Sequence, residues 1–393
     1  MKRALILALT VLMVISTVWF LAGCNNPTGG GGGGGTVIDN GLPLVFVSTT
    51  GSDETGTGTS ELPYKTIQKG LSRVASGGLV SVESGIYTEN ITWCANANVI
   101  LRGASAETTI IDGNHSGMCI DVNNINDCKV ATIENFTIIN GYTSSGYTGA
   151  GISLHGNAMT LYLNKVIIIN CSSESHVYSY QGGGVAIFGW PCMLEANQCQ
   201  IINNTSDTGG GVGGILNFGI LKLYNCNVSG NAGGFVGGIF CFYNGKIENC
   251  IVSNNSSIYG NKGGLYLYDY AGMSIDVINS TIVSNESPGV YSYYSLSRLV
   301  NCIIWGNNVD FARDNYGDPV GNLTVKYCNV QGGFSGPGNI NIDPSFQSSI
   351  DYHLTSSTPI SVSRGATVEG IPSRDYDGNP RTFPYSMGAY EYD

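Results

Sequence analysis

From Asn164 onward, short runs of Val, Ile, Leu, Tyr and Phe alternate with Gly and Asn, and one phrase keeps returning. It reads NKVIIIN from Asn164, NQCQIIN from Asn197, NCNVSGN from Asn225, NCIVSNN from Asn249, NSTIVSN from Asn279 and NCIIWGN from Asn301. A degenerate copy, YCNVQGG, begins at Tyr327. The spacing, about 22 to 33 residues, is that of stacked repeats. Each copy holds β-branched and aromatic runs cut by turn residues, which are strand and turn signals. None has room for a ten-residue amphipathic helix, so alternating strand-helix units do not fit. The pattern predicts an all-β, single-stranded solenoid: a right-handed parallel β-helix in which each coil of short strands rests on the coil before.

Stacked coils sit roughly 4.8 Å apart, so like residues should form columns. Aligning the phrases gives one column of Asn164, Asn197, Asn225, Asn249, Asn279 and Asn301. A second contains Asn170, Asn203, Asn231, Asn255, Asn285 and Asn307. Asn tolerates the left-handed turn conformation and can bond the amide above and below it, so both columns read as structural turn ladders. The residue after the first column runs Lys165, Gln198, Cys226, Cys250, Ser280, Cys302, Cys328, which predicts an inward stack of small, inert thiols. The phrases GGGVAI, GGILNF, GGIFCF and GGLYLY alternate with these, and their glycines suit tight turns and close backbone approach. A phosphate cradle is excluded, because no helix follows them and no Lys-Ser/Thr stands at the required spacing.

The N-terminus changes the picture. Lys2 and Arg3 precede an apolar run from Ala4 to Phe20, and Leu21-Ala22-Gly23-Cys24 follows. This is a secretory-signal pattern. The LAGC ending resembles the bacterial lipoprotein box, which implies cleavage before Cys24 and lipidation of its thiol. The run is about 17 residues, at the short limit for a spanning helix. Residues 24–36, with unbroken glycine from Gly29 to Gly35, read as a tether. These features place the chain in a bacterial cell envelope, lipid-anchored at the outer membrane or cell surface. Only 11% of residues are charged, 28 acidic against 17 basic, which argues against nucleic acid. Twelve cysteines without C-x-x-C spacing make a zinc site a poor fit; Cys192 and Cys199, within one coil, are candidates for a disulfide.

Leu44 to Val47 reads as a strand and Thr66 to Ala75 as the one helix, with Ile67, Leu71 and Val74 on one face. An open solenoid end needs a cap, and this helix supplies one within residues 37–98, ahead of repeats over 99–332. The stretch VFVSTTGSDETGTGTSELPYKTIQKGL, followed by LVSVESGIYTENI, resembles the N-terminal segment of bacterial parallel β-helix proteins, including polysaccharide lyases of the ninth family. That resemblance implies the pectin-lyase-like fold. The GG and N-x-x-x-x-x-N phrases are also similar to the repeats of chlamydial polymorphic outer-membrane adhesins. From Asn301 onward NCIIWGN, GNINIDPSF, DYHLTSSTP and DYDGNPRTFPYSMGAYEYD resemble the choice-of-anchor Q proteins. That implies a C-terminal cap over residues 333–393, with GAYEY as a last strand. Asp377, Gly378, Arg381, Gly388 and Glu391 match recurring positions of that family and read as turns plus an Arg-carboxylate contact.

The chemistry is sparser. β-Elimination on a uronate needs Ca²⁺ or Arg to neutralise the carboxylate and a base, often Lys, to take the proton. The ninth-family lyases use clustered Asp residues; this chain has no Asp-Asp pair. Paired-carboxylate glycoside hydrolysis is equally unsupported. Remaining candidates are Lys262 as a base, Glu174 with His176 in a long insert, and Asp310, Asp314 and Asp318 as a partial Ca²⁺ loop. Lys165 and Lys222 are further bases to consider, and Asp269 is placed in an insert. Aromatic residues are richer. One group comprises Tyr142, Tyr147, Tyr178, Tyr180, Tyr259, Tyr291, Tyr293 and Tyr294. Another, at a different corner, comprises Trp190, Phe218, Tyr243 and Tyr270. Exposed rings of this kind offer apolar faces for sugars. The sequence therefore leaves three functions open: a surface lipoprotein that binds extracellular polysaccharide or a surface protein without catalysis, a uronate-specific polysaccharide lyase, or an adhesin-like structural protein. In each the chain is expected to be a monomer.

Overall fold

The computed structural model describes residues 41–93, 98–123, 129–144, 146–156, 158–174, 180–207, 209–259, 262–268, 273–293, 296–311, 323–363 and 370–392, together with the backbone of the strand Val37–Asp39. Thr36–Asp393 forms one compact unit. The signal, Cys24 and the glycine tether lie outside the described residues.

Among the described residues there are four sheets, of twelve, ten, eight and five strands, the smallest confined to the coils between Tyr142 and Ser257. Apart from the strand pair Val37–Asp39 and Leu42–Val47, every named strand pairing is parallel, and each strand's partners come from the coils before and after it. This is the right-handed parallel β-helix expected from the repeats. One coil shows the order. Met193–Asn197 lies in the twelve-strand sheet, Gln200–Ile202 in the ten-strand sheet, Thr205–Ser206 in the five-strand sheet and Ile215–Asn217 in the eight-strand sheet. The chain then climbs to Ile220–Tyr224, directly above Met193–Asn197. Strands alternate in and out, and the inward Leu, Ile and Val residues form one continuous core. The helix Ile67–Arg73, N-capped by Thr66, buries Ile67, Gly70 and Leu71 over the N-terminal end of that core.

The ladders are real, but two members of each predicted column sit one residue out of register. Asn164 and Asn197 pair with Tyr224, not Asn225. The left-handed turn is taken by Lys165, Gln198, Asn225, Asn249, Asn279, Asn301 and Tyr327, with φ between 45° and 57°. Lys165 and Gln198 are therefore turn residues, and the inward column is Phe136, Val166, Cys199, Cys226, Cys250, Ser280, Cys302 and Cys328, all fully buried. Similarly Asn170 and Asn203 hold the second left-handed turn. The inner ladder is Asn204, Asn231, Asn255, Asn285 and Asn307. Each of Asn231, Asn255 and Asn285 fills its hydrogen-bonding capacity. Its Oδ1 accepts the backbone N–H and the Nδ2–H of the Asn below, while its own Nδ2 donates upward to the next Oδ1 and downward to a carbonyl. The glycines of the GG phrases explain themselves against this ladder. A Cβ on Gly184, Gly214, Gly238 or Gly264 would collide with the carbonyl oxygen of the next coil's glycine. Close approach is their reason; their φ angles are ordinary.

Two further expectations are corrected. Cys192 and Cys199 are both free and buried: each lies at a different corner of its coil, and their thiols face Gly156 O and Asn197 O. The GAYEY stretch forms no strand and does not close the solenoid's end. Instead the C-terminal segment folds back along the ten-strand sheet. Tyr352, Ala389 and Tyr390 cover Ile251 and Val283, while Leu354, Val362 and Met387 cover Ile303. Arg381 makes the expected carboxylate contact, 3.0 Å to Glu391, with both side chains buried, and it also donates to Asn249 Oδ1 at 2.8 Å.

Candidate functional site: an aromatic face on the eight-strand sheet

The predicted aromatic groups are not two walls. Most of their described members meet on the outer face of the eight-strand sheet, because each GG phrase ends on or is followed by an outward aromatic in the same register. His155 and Phe188 are paired positions, and Phe218, Phe242, Tyr268 and Tyr293 continue the line. Consecutive ring centroids are 5.1, 5.8, 5.3, 4.8 and 5.4 Å apart. A second outward column runs Ser153, Ala186, Leu216, Phe240, Tyr266 and Tyr291.

Loops frame both columns. On one side stand Tyr147, Tyr180 and Phe235, with Tyr180 5.3 Å from Phe218 and 6.5 Å from Phe235. On the other Trp190 lies 4.7 Å from Tyr243, tilted by 42°. Ring geometry assigns different tasks to these groups. Several rings of the column, such as Phe242 on Tyr268, stack nearly parallel, at 7°, so their faces are spent on each other. The exposed rings belong to the frame, where Tyr147 and Trp190 are each 40% exposed, and to Tyr259, 58% exposed, whose backbone N–H bonds Gly234 O beside Phe235.

Lys262 projects onto this face, its Nζ 4.2 Å from the Phe235 ring centroid. At the opposite end the face turns polar. Asp121 pairs with Ser153 across coils, and burial pushes its carboxyl up to about 6. Its Oδ1 is buried without a hydrogen-bond partner. Ser153 Oγ accepts from Gly149 N and lies 2.7 Å from His155 Nε2. Burial lowers His155 to about 4, so the ring is neutral at neutral pH, and its Nε2 is hydrogen-bonded to the Ser153 hydroxyl. Ser153 is wholly buried, which makes this pair a support for the sheet and not an attacking group.

Other predicted residues fall elsewhere. Tyr142 belongs to the five-strand sheet, its hydroxyl 3.4 Å from Glu174 Oε2. Lys222 pairs with Glu195 on the twelve-strand sheet, and Lys165 holds a turn. Asp310 accepts from Asn307 Nδ2 at 2.9 Å, and burial pushes it up to about 6; it terminates the Asn ladder. His176, Tyr178, Asp269, Tyr270, Tyr294, Asp314 and Asp318 lie outside the described residues. Among the described residues no three His, Cys, Asp or Glu side chains converge as a metal site, so Ca²⁺ stays an expectation. The sequence reading passed over Phe188, Phe235, Phe240, Phe242, Tyr266 and Tyr268. Their signal was present, since Phe242 and Tyr268 close two of the GG phrases and Phe188 follows a third.

The buried Asp121 carboxyl gives a pH test. Its folded value is raised above 3.8, so folding favours the protonated form. The group costs nothing below about pH 4, destabilises increasingly between pH 4 and 6, and costs a constant amount above that, on the order of 3 kcal/mol. Asp121→Asn should therefore raise stability by about 1–3 kcal/mol in neutral denaturant melts and by nothing near pH 4. A gain independent of pH would show that burial is not what holds this proton.

No protein-family model matches the chain, and no curated protein matches it. Among solved structures it is similar to pectate lyase Pel9A, with 12% identity and a TM-score of 0.48 over 90% of this chain and 98% of that one. It is also similar to a deglycosylated pectin methylesterase from Aspergillus niger, with 13% identity and a TM-score of 0.42 over 74% and 91%. A third is XylC in complex with xylose, with 10% identity and a TM-score of 0.43 over 88% and 98%. Similarities this distant carry no argument about activity.

Proposed function

We propose that the chain is a surface lipoprotein, anchored through Cys24, whose eight-strand sheet binds a glycan without transforming it. The aromatic face carries this reading. A sheet exterior is ordinarily polar, yet here rings occupy both outward columns over successive coils, Phe240, Phe242 and Tyr266 buried among their neighbours and Phe188, Phe218, Tyr268, Tyr291 and Tyr293 half-buried. Singly scattered apolar residues need no explanation, whereas a contiguous patch marks an interaction site. Sugars suit it, because a pyranose presents an apolar C–H face to a ring and hydroxyls to the surrounding polar groups. The line of rings fits an extended chain, and Trp190, Tyr147 and Tyr259 offer the faces on which sugar rings stack.

A lyase is the second reading, and Asp121 is the observation in its favour: a carboxyl with raised affinity for its proton, at one end of an aromatic track, is what a general acid requires. The two readings separate in one assay. Bound polymer is incubated with the chain, and the ultraviolet absorbance of unsaturated uronates is followed. Binding that weakens about tenfold in Trp190→Ala, the loss of ~1.4 kcal/mol, with no rise in absorbance, is expected. A rise that disappears in Asp121→Asn would move the assignment to the lyase.

A further inference from the structure

Lys262 is the charged group on the aromatic face. Its Nζ sits 4.2, 5.1 and 5.0 Å from the ring centroids of Phe235, Tyr266 and Tyr291. On the neighbouring twelve-strand sheet four cations are neutralised: Arg102 pairs with Glu134, Lys222 with Glu195, Lys246 with Glu248 and Arg298 with Asp276. Lys262 has no such partner among the described residues, and its ammonium donates no hydrogen bond there. An ammonium carries three donors and holds water tightly, so half-burying it without an acceptor is costly. Attraction to the ring faces recovers part of that cost, about 0.5–2 kcal/mol per good contact. The rings wall the ammonium on the protein side and leave its remaining donors directed at whatever lies on the face.

We infer that Lys262 recognises an anionic substituent, a carboxylate or a sulfate ester, on the glycan that occupies the aromatic face. The inference rests on the glycan-binding reading above and deepens it to a ligand class. Charge complementarity supports it, since no carboxylate among the described residues pairs with this cation. A bound sugar would also displace water and strengthen the pairing in the lower local dielectric. The chain's net charge of −11 sets a limit in the other direction. A densely charged polyanion is repelled by the whole molecule, so the fitting ligand carries anionic groups sparsely along an otherwise neutral chain.

The pairing has a pH signature. Burial lowers Lys262 to about 8. The titratable groups facing it from the adjoining strands are the phenols of Tyr266 and Tyr291, and burial holds Tyr266 above the ordinary phenol range. Phe235, from the loop opposite, carries no charge. Lys262 is thus the group that changes charge as pH rises through 8, and the preference for anionic sugars should fade there by up to tenfold per unit.

The test is calorimetric titration of the full chain with three oligosaccharide sets on a common backbone: neutral, uronate-bearing and sulfated. The wild type should prefer one anionic set at least tenfold over the neutral set at pH 7, and which set it prefers names the anion. Lys262→Met should bind the anionic and neutral sets equally, and Lys262→Arg should keep the preference well above pH 8. Equal binding of neutral and anionic sets by wild type and Lys262→Met overturns the inference and leaves the glycan reading standing. No binding of any set overturns both. If Lys262→Met binds nothing and melts early, Lys262→Arg decides: a preference that still fades above pH 8 in that variant contradicts the assignment.

Discussion

Asn255→Ala should destabilise the solenoid by about 4 kcal/mol. Asn255 is fully buried and makes four hydrogen bonds through its side chain. Truncation leaves two donors of Asn231 without an acceptor and takes one donor each from Val228 O and Asn285 Oδ1, the latter keeping the backbone N–H of residue 255. Each stranded buried group costs about 1–3 kcal/mol, partly relieved by relaxation. Solenoid stability is a sum over neighbouring coils, so the loss should be concentrated around the lesion. Hydrogen exchange should accelerate at Asn231 and Asn285 while the helix Ile67–Arg73 stays protected. A uniform change along the whole chain, or a loss under 1 kcal/mol, would show that the ladder is ornamental to the stack.

Arg381→Met is expected to release the C-terminal segment. The pair with Glu391 is no large net stabiliser while intact, because burial lowers the Arg381 pKa and raises that of Glu391. Breaking it is another matter. Glu391, 1% exposed at its side chain, is left without its cation, Asn249 Oδ1 loses the Arg381 donor, and Gly388 O and Ala389 O each lose one of two donors. Removing one member of such a pair costs about 3–5 kcal/mol. Limited proteolysis should then cut between Phe334 and Tyr392, and Ile251, Val283 and Ile303 should become accessible to an apolar dye. The double variant Arg381→Met with Glu391→Leu should recover most of the resistance, since a matched apolar pair avoids the buried charge. Wild-type resistance in the single variant would mean that the apolar contacts alone hold the segment.

How much of this was legible depended on the range of the interaction. The solenoid was legible because stacking repeats a short phrase, and the helix was visible from Ile67, Leu71 and Val74. Register was harder. A left-handed turn accepts Lys165, Gln198 and Tyr327 as well as Asn, so residue identity did not mark the position. The doublet Asn203-Asn204 concealed which amide turns inward. The aromatic face was half legible: the residues were noticed, but Phe188, Phe242 and Tyr268 sit at strand ends, where an aromatic equally suits a strand. Contacts between distant parts of the chain left no local trace. Arg381 reaches Asn249 across 132 residues, and the fold-back of the C-terminal segment follows from contacts of that kind.

The central claim is that the outer face of the eight-strand sheet is a glycan site. A glycan array probed with the wild-type chain and with a Tyr147→Ala, Trp190→Ala, Tyr259→Ala variant tests it most directly, because these exposed rings can be removed without opening the core. The account predicts that the wild type retains a defined set of glycans and that the folded variant retains none of them. Retention of the same glycans by both proteins, or of none by the wild type, would contradict it.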